Sequence, residues 1–170
     1  MARGVPRSGL AGPGRRLALA LGLVAAVIVR GAGAGPVCDA ATAAEARALA
    51  ERAAALLEDA GPREAFTAFM TPEGGFIDRD LYVFVIDFEG VLWANGAFPN
   101  AVGSQAIDAH TADGRYYIRE MIALAAGRGA GWIEYQWYSP CTGELEPKVS
   151  YVIRVGRFII GVGAYGTLGA

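Results

Sequence analysis

The chain has 170 residues, the length of one domain, and because 54% of them are hydrophobic and 19% charged it can form a packed core and is not intrinsically disordered. Its net charge of -2 hides an asymmetry, since residues 1–34 contain five arginines and no acidic residue, which leaves 10 basic and 17 acidic residues in 35–170. An acidic body without a basic stripe excludes nucleic acid as a partner.

Residues 1–34 are typical of an export signal. Two arginines at 15–16 precede an apolar stretch at 17–29, and Ala-Gly-Ala at 32–34 fits the small-residue pattern of a cleavage site. As a helix, this stretch spans ~20 Å, less than the ~30 Å hydrocarbon core of a bilayer. We therefore expect cleavage after Ala34 and a periplasmic or secreted domain at 35–170. The alternative is an uncleaved N-terminal membrane anchor.

The two cysteines of the chain, Cys38 and Cys141, both follow the predicted signal. An exported protein is exposed to conditions that permit disulfides, so a Cys38–Cys141 bridge is one expectation and two unpaired thiols are the other. Closing this loop would stabilise the fold by about 3–5 kcal/mol. Two isolated cysteines and one histidine form no ligand cluster, so we expect neither a metal site nor a cofactor.

Two helices are predicted after the signal. Thr42 and Glu45 have the spacing of a capping box at the start of an alanine-rich helix with apolar residues at helical intervals. Gly61 and Pro62 end this helix and start a second, shorter one, because proline is favourable at a first helical position.

Strands follow from residue 81 onward. The stretches 81–86, 91–94, 132–138, 148–155 and 158–165 are rich in β-branched and aromatic residues and are bounded by turn residues. A polar loop at 96–114 and a helix that carries Tyr117 and Met121 separate the second stretch from the third. This order predicts an α+β fold, in which helices cover one five-stranded antiparallel sheet.

Several short motifs, in this order and at this spacing, carry a resemblance to a known family. They are Asp-Leu-Tyr-Val-Phe-Val at 80–85, Asp-Phe-Glu-Gly at 87–90, Trp-Ala-Asn-Gly at 93–96 with Pro-Asn at 99–100, Val-Gly at 102–103, Asp-Gly at 113–114, Gly-Trp-Ile-Glu-Tyr-Gln-Trp at 131–137, Glu-Pro-Lys at 146–148 with Tyr151, and Gly-Val-Gly at 161–163. Together they resemble the type 2 single-Cache domain, an extracytoplasmic sensor module of the PAS-like superfamily.

The resemblance implies a long N-terminal helix, a five-stranded PAS-like sheet, and a pocket for a small organic ligand, often a short carboxylate. It also admits a homodimer formed through the first helix. Asn95 departs from the family, which often has histidine there. Because the chain ends at Ala170, directly after the last predicted strand, we expect a binding domain without an output module that acts alone or through a separate receptor or signalling partner.

Lys148, the only lysine of the chain, is the leading candidate for ligand binding. An ammonium group among aromatic rings suits a carboxylate, and the alternative is a surface lysine paired with Glu146. Which strand faces meet across the sheet stays open at this stage. The aromatic candidates beside Lys148 are Tyr135, Trp137 and Tyr151. Secondary candidates, for which core packing is the favoured alternative, are Tyr82, Trp93, Tyr117 and Met121.

No enzyme is predicted. Gly161, Gly163 and Gly166 have the spacing of a dinucleotide site, but no helix follows to receive a pyrophosphate. Gly161 and Gly163 are instead expected to leave a strand face bare for helix packing or for the ligand. The single histidine, His110, belongs to a polar loop without a nucleophile motif. The alternative function is a protein-interaction module with a vestigial pocket.

Overall fold

The computed structural model describes residues 39–168. The predicted export signal, its cleavage site and Cys38 lie outside this range and stay predictions. Within 39–168, no helix is long and apolar enough to cross a membrane.

The first helix, α1, spans Ala43–Met70 and begins with the predicted capping box. The Thr42 hydroxyl accepts a hydrogen bond from the Glu45 backbone N–H at 3.2 Å, and the Glu45 carboxylate accepts one from the Thr42 N–H at 2.8 Å. Gly61 interrupts the helical backbone with φ 80° and ψ 173°, and Pro62 follows. Because this kink divides α1 into two helical stretches, the predicted pair of consecutive helices is confirmed.

The sheet has six antiparallel strands, one more than predicted. The strand that was not predicted is Ile77–Asp78, whose two residues are too few to show an alternating pattern in the sequence. The strands are β1 (Ile77–Asp78), β2 (Leu81–Asp87), β3 (Leu92–Asn95), β4 (Ala130–Tyr138), β5 (Leu145–Val155) and β6 (Phe158–Tyr165), and helix α2 (Tyr117–Arg128) precedes β4. Their order is β1-β2-β6-β5-β4, and β3 pairs with β2. The central strands are β2, β6 and β5.

The two faces of the sheet are covered differently. Helix α1 packs on one face, against Val83, Val85, Ile160 and Val162. On the other face, Tyr82, Phe84, Ile86 and Ile159 lie beneath α2 and the loop that precedes it. All seven residues of β2 are buried because the strand has cover on both sides. We call the first side the α1 face and the second the α2 face.

Gly161 and Gly163 of β6 leave space that is filled by side chains of neighbouring strands rather than by a helix. A side chain at Gly161 would overlap the ring of Phe84, and one at Gly163 would overlap Lys148 and Ser150. The expectation that a helix packs here is therefore wrong. The two glycines make room on the α2 face for a phenyl ring from β2 and a lysine from β5.

Substituting Gly161 tests this packing. We expect Gly161→Ala to lower the free energy of unfolding by about 1–3 kcal/mol, since the added methyl group has to displace the buried Phe84 ring. The matched control is Gly127→Ala in α2, where the methyl group meets nothing within 4 Å and should stabilise by about 0.4–1 kcal/mol. Urea denaturation of both variants checks the difference, and equal stabilities would contradict it.

Candidate functional site

A cavity of about 380 Å³ lies between the α2 face of the sheet and the elements that cover it. The cover consists of α2 and residues 96–116, which we call the cover loop. Most lining side chains are aliphatic or aromatic, a few are neutral polar groups, and none is charged. They are Tyr82, Phe84, Ile86, Leu92, Asn95, Phe98, Ala101, Ser104, Gln105, Ala106, Ala109, Tyr117, Ile118, Met121, Tyr135, Trp137 and Tyr138.

Backbone hydrogen bonds fasten the cover loop to β3 and to the turn before it. Gly103 N–H donates to Leu92 O at 2.8 Å, Leu92 N–H donates to Ser104 O at 3.0 Å, and Ala106 N–H donates to Gly90 O at 2.8 Å. The loop therefore runs back along β3 and closes one side of the cavity.

Asn95 shapes the start of the cover loop. Its Oδ1 accepts hydrogen bonds from the backbone N–H groups of Ala97 at 3.1 Å and Phe98 at 2.9 Å. Two N–H donors require the carbonyl side of the amide, so its Nδ2 is the group left for the cavity. Within residues 39–168, this Nδ2 has no hydrogen-bond partner. Asn95 is thus a structural cap of the cover loop whose amide nitrogen is left as a hydrogen-bond donor at the cavity.

Aromatic rings form one wall of the cavity. Tyr117 of α2 stacks on Tyr135 of β4 with ring centroids 4.8 Å apart and planes 2° apart. Trp137 meets Tyr117 edge-on at 5.6 Å and Phe98 at 6.2 Å, and Phe98 meets Tyr82 at 5.9 Å. These contacts join α2, β4, β2 and the cover loop into one aromatic cluster.

Lys148 is buried behind this wall, with 1% of its surface exposed. Its Nζ donates to the Tyr82 hydroxyl at 2.8 Å and to the Tyr165 hydroxyl at 3.4 Å. Beside it, the hydroxyls of Tyr135 and Ser150 are 3.0 Å apart. The alternative of a surface lysine does not hold, because the strand register places Lys148 between Tyr135 of β4 and Tyr165 of β6 on the covered α2 face.

Burial sets the charge of this cluster. Desolvation lowers the pKa of Lys148 to about 7, although the charge of Asp80 opposes the shift. Burial also raises the pKa values of the tyrosine hydroxyls around it, which stay neutral. A neutral amine has two N–H groups, which two phenol oxygens satisfy, whereas the ammonium form has a third without a partner in the described part of the chain. The ammonium form would therefore need a further hydrogen-bond acceptor.

The structure brings together most of the predicted site residues. Tyr82, Tyr117, Met121, Tyr135 and Trp137 line the cavity, and Lys148 reaches it through the Tyr82 hydroxyl. The lining also includes β2, β3 and cover-loop residues that the sequence analysis did not single out. Alternation along β2 placed Phe84 and Ile86 on the face of Tyr82, whereas the irregular cover loop offered no such signal.

Tyr151 and Trp93 lie away from the cavity. Tyr151 packs on Trp132 with ring centroids 4.9 Å apart and lies beneath the Arg47 guanidinium, on the α1 face. Lys148 pairs with Tyr135 and therefore shares its face. Tyr151 lies three residues further along β5, and because side chains alternate along a strand it points to the other face. The Trp93 Nε1–H donates to Asp87 at 2.7 Å, and its ring meets Phe158.

A second cavity of about 370 Å³ borders Lys148 and Tyr135 from the other side, at the β4 edge. It contains Asp113, Arg115 and Glu134, but Arg115 is already engaged, donating to the Glu134 carbonyl at 2.9 Å and pairing with Glu120. Mixed charges and an engaged arginine make this cavity a weaker candidate for an organic anion than the first.

An antiparallel sheet with a ligand-sized cavity on one face, closed by a helix and a loop, is the architecture of PAS-like sensor domains. Residues 40–167 match the family described as Single Cache domain 2, and the chain belongs to this family. Members of this family are extracytoplasmic sensor domains.

Solved structures show the same fold. A periplasmic sensor domain of a chemotaxis protein aligns with a TM-score of 0.59 and 22% identity, covering 73% of this chain and 90% of that one. A methyl-accepting chemotaxis protein from Vibrio parahaemolyticus aligns at 0.61 and 18%, covering 72% and 86%. A Cache chemosensory domain, whose structure concerns carboxylic acid recognition, aligns at 0.58 and 23%, covering 73% and 88%.

One curated relative is a signalling protein. The sensor histidine kinase MctS of Rhizobium johnstonii is 32% identical over 91 residues, which cover 51% of this chain and 19% of the kinase. The chain therefore spans about a fifth of the length of this relative.

Stability is expected to rise with pH between about 7 and 9.5 because of Lys148. In this window the unfolded chain retains a protonated lysine, with its usual pKa of 10.5, whereas the folded amine, with a pKa of about 7, is largely neutral. The unfolded state thus binds more protons, and each pH unit adds about 1 kcal/mol to the free energy of unfolding. Above this window the trend reverses, since the tyrosines ionise first in the unfolded chain.

Urea denaturation at pH 7, 8 and 9 measures this slope. Lys148→Met, which keeps the volume but removes the titrating group, should lack it. Identical slopes in the two proteins would show that Lys148 has an ordinary pKa.

Proposed function

We propose that this domain is an exported sensor that binds a small organic acid in the cavity on its α2 face, with Lys148 as the counter-charge. The observation that carries the proposal is the position of the buried Lys148 amine, 2.8 Å from the hydroxyl of Tyr82, a residue that lines the cavity.

The size and chemistry of the cavity suit a small organic molecule. Ligand sites are typically concave, mostly apolar and ~300–1,000 Å³ in volume, with a few polar groups that orient the ligand. The cavity of about 380 Å³ fits this description. Its neutral polar groups include the Tyr82 and Tyr117 hydroxyls, the Asn95 Nδ2 and the Trp137 indole N–H.

A carboxylate is the ligand group that this arrangement favours. Phenol, amide and indole donors satisfy carboxylate oxygens, and the negative charge stabilises the protonated form of Lys148 that burial alone disfavours. The related Cache chemosensory domain that recognises a carboxylic acid has the same fold, and this supports the proposal. A sensing role is supported by the family, whose members are sensor domains, and by the similarity to part of the sensor histidine kinase MctS.

The second candidate function is a protein-interaction module with a vestigial pocket. Such a module would have a collapsed, dry aromatic core on the α2 face. The open volume of about 380 Å³ beside the aromatic cluster favours the ligand-binding proposal over this one.

A thermal-shift screen of the purified protein against monocarboxylates tests the proposal. A ligand at 100 times its dissociation constant should add about 2.7 kcal/mol to the free energy of unfolding and raise Tm by several degrees. Lys148→Met should lose this shift because it removes the counter-charge.

Two tyrosine variants test whether ligand binding depends on the cavity or on the opposite face of the sheet. Tyr135→Phe removes a hydroxyl at the cavity and should weaken binding, whereas Tyr151→Phe makes the same change on the α1 face and should bind like the wild type. If acids stabilise neither the wild type nor the variants, the interaction module becomes the leading function. If they stabilise Lys148→Met as much as the wild type, the role given to Lys148 is wrong.

We further propose that the exported domain contains a Cys38–Cys141 disulfide. Peptide mapping of protein made in an oxidising compartment should give a cross-linked pair under non-reducing conditions, and reduction should lower the free energy of unfolding by about 3–5 kcal/mol. Recovery of both peptides with unmodified thiols would contradict the bridge.

A further inference from the structure

The cavity is elongated along strand β2. Tyr82, Phe84 and Ile86 of β2 all line it, and residues four apart along a strand are separated by ~13 Å. At ~30 Å³ for each water molecule in the liquid, a volume of about 380 Å³ holds ~12 non-hydrogen atoms. An acid of two or three carbons would leave most of this space unfilled.

The two ends of the cavity differ in chemistry. At the Tyr82 end lie the Lys148 amine and the paired hydroxyls of Tyr135 and Ser150. At the other end, Ile86 pairs with Leu92, and the cover loop brings Ala106 close to this pair through its hydrogen bond to Gly90.

The polar groups near the apolar end, Ser104 and Gln105, are exposed and neutral. A second carboxylate placed there would gain no counter-charge, because no lining side chain is charged, and it would replace the apolar contact that a methyl group makes with Ile86 and Leu92.

We propose that the ligand is a monocarboxylate with an extended apolar body, seated with its carboxylate at Tyr82 and its tail against Ile86, Leu92 and Ala106. This inference rests on the proposed function and narrows it, since it excludes both dicarboxylates and acids of two or three carbons as the preferred ligands.

Isothermal titration with straight-chain acids from acetate to dodecanoate tests the inference. Each buried methylene should tighten binding about four-fold until the cavity is full, so affinity should rise through hexanoate to octanoate and then fall by dodecanoate. Tightest binding by acetate or propionate would overturn the inference and leave the proposed function standing. An absence of binding along the whole series would remove both.

Octanedioate provides a matched test of the apolar end, because it differs from octanoate by a second carboxylate at the tail. We expect at least a ten-fold loss of affinity relative to octanoate. Equal affinity would mean that the tail does not enter the Ile86 end, and would overturn the proposed orientation.

A side chain added at the apolar end should shorten the cavity. Ala106→Leu should weaken octanoate at least ten-fold while leaving butyrate unchanged, and the control Ala55→Leu, on the exposed side of α1, should match the wild type. If circular dichroism shows that Ala106→Leu does not fold, Ala101→Leu, in the same part of the cover loop, takes its place in the experiment. A loss that is equal for both acids would overturn the placement of the tail.

Discussion

The site depends on the burial of the Lys148 amine between the hydroxyls of Tyr82 and Tyr165. A lysine at this depth needs space on the sheet, and Gly163 provides it because a side chain there would overlap the lysine stem. The amine also needs acceptors, which β2 and β6 supply as two phenol oxygens. Three neighbouring strands therefore each contribute one part of this arrangement.

The two faces of the sheet have separate roles because their covers differ. The small residues Ala46, Ala50 and Ala53, all fully buried, let α1 approach the sheet closely, so this face is packed. On the opposite face, a short helix and an irregular loop span the sheet without filling the space beneath them. The α1 face thus supplies stability, whereas the α2 face leaves room for a ligand next to the buried amine.

Under the proposed function, the charge of Lys148 and the binding of the ligand depend on each other. Burial brings the pKa of Lys148 to about 7, so near neutral pH the amine is divided between its two forms. A carboxylate stabilises the ammonium form, and binding then takes up a proton whenever the amine was neutral beforehand. Under the same proposal, the carboxylate would provide orientation and selectivity for charge, and burial of carbon along the apolar length of the cavity would provide the rest of the affinity.

Local signals in the sequence determined the elements of this domain: the capping box of Thr42, the break at Gly61 and the strand 158–165 all lie where the residues predicted them. They also determined which side chains share a face within one strand, because alternation has a period of two. Only the tertiary structure decided how the strands pair. The register set Lys148 opposite Tyr135, so that Lys148 and not Tyr151 shares the face of Tyr135. A shift of one residue would have placed Tyr151 on that face instead. The cover loop has no period at all, so the position of Asn95, Phe98 and Ala106 over the sheet depends on hydrogen bonds to β3 and its turn that no local pattern encodes.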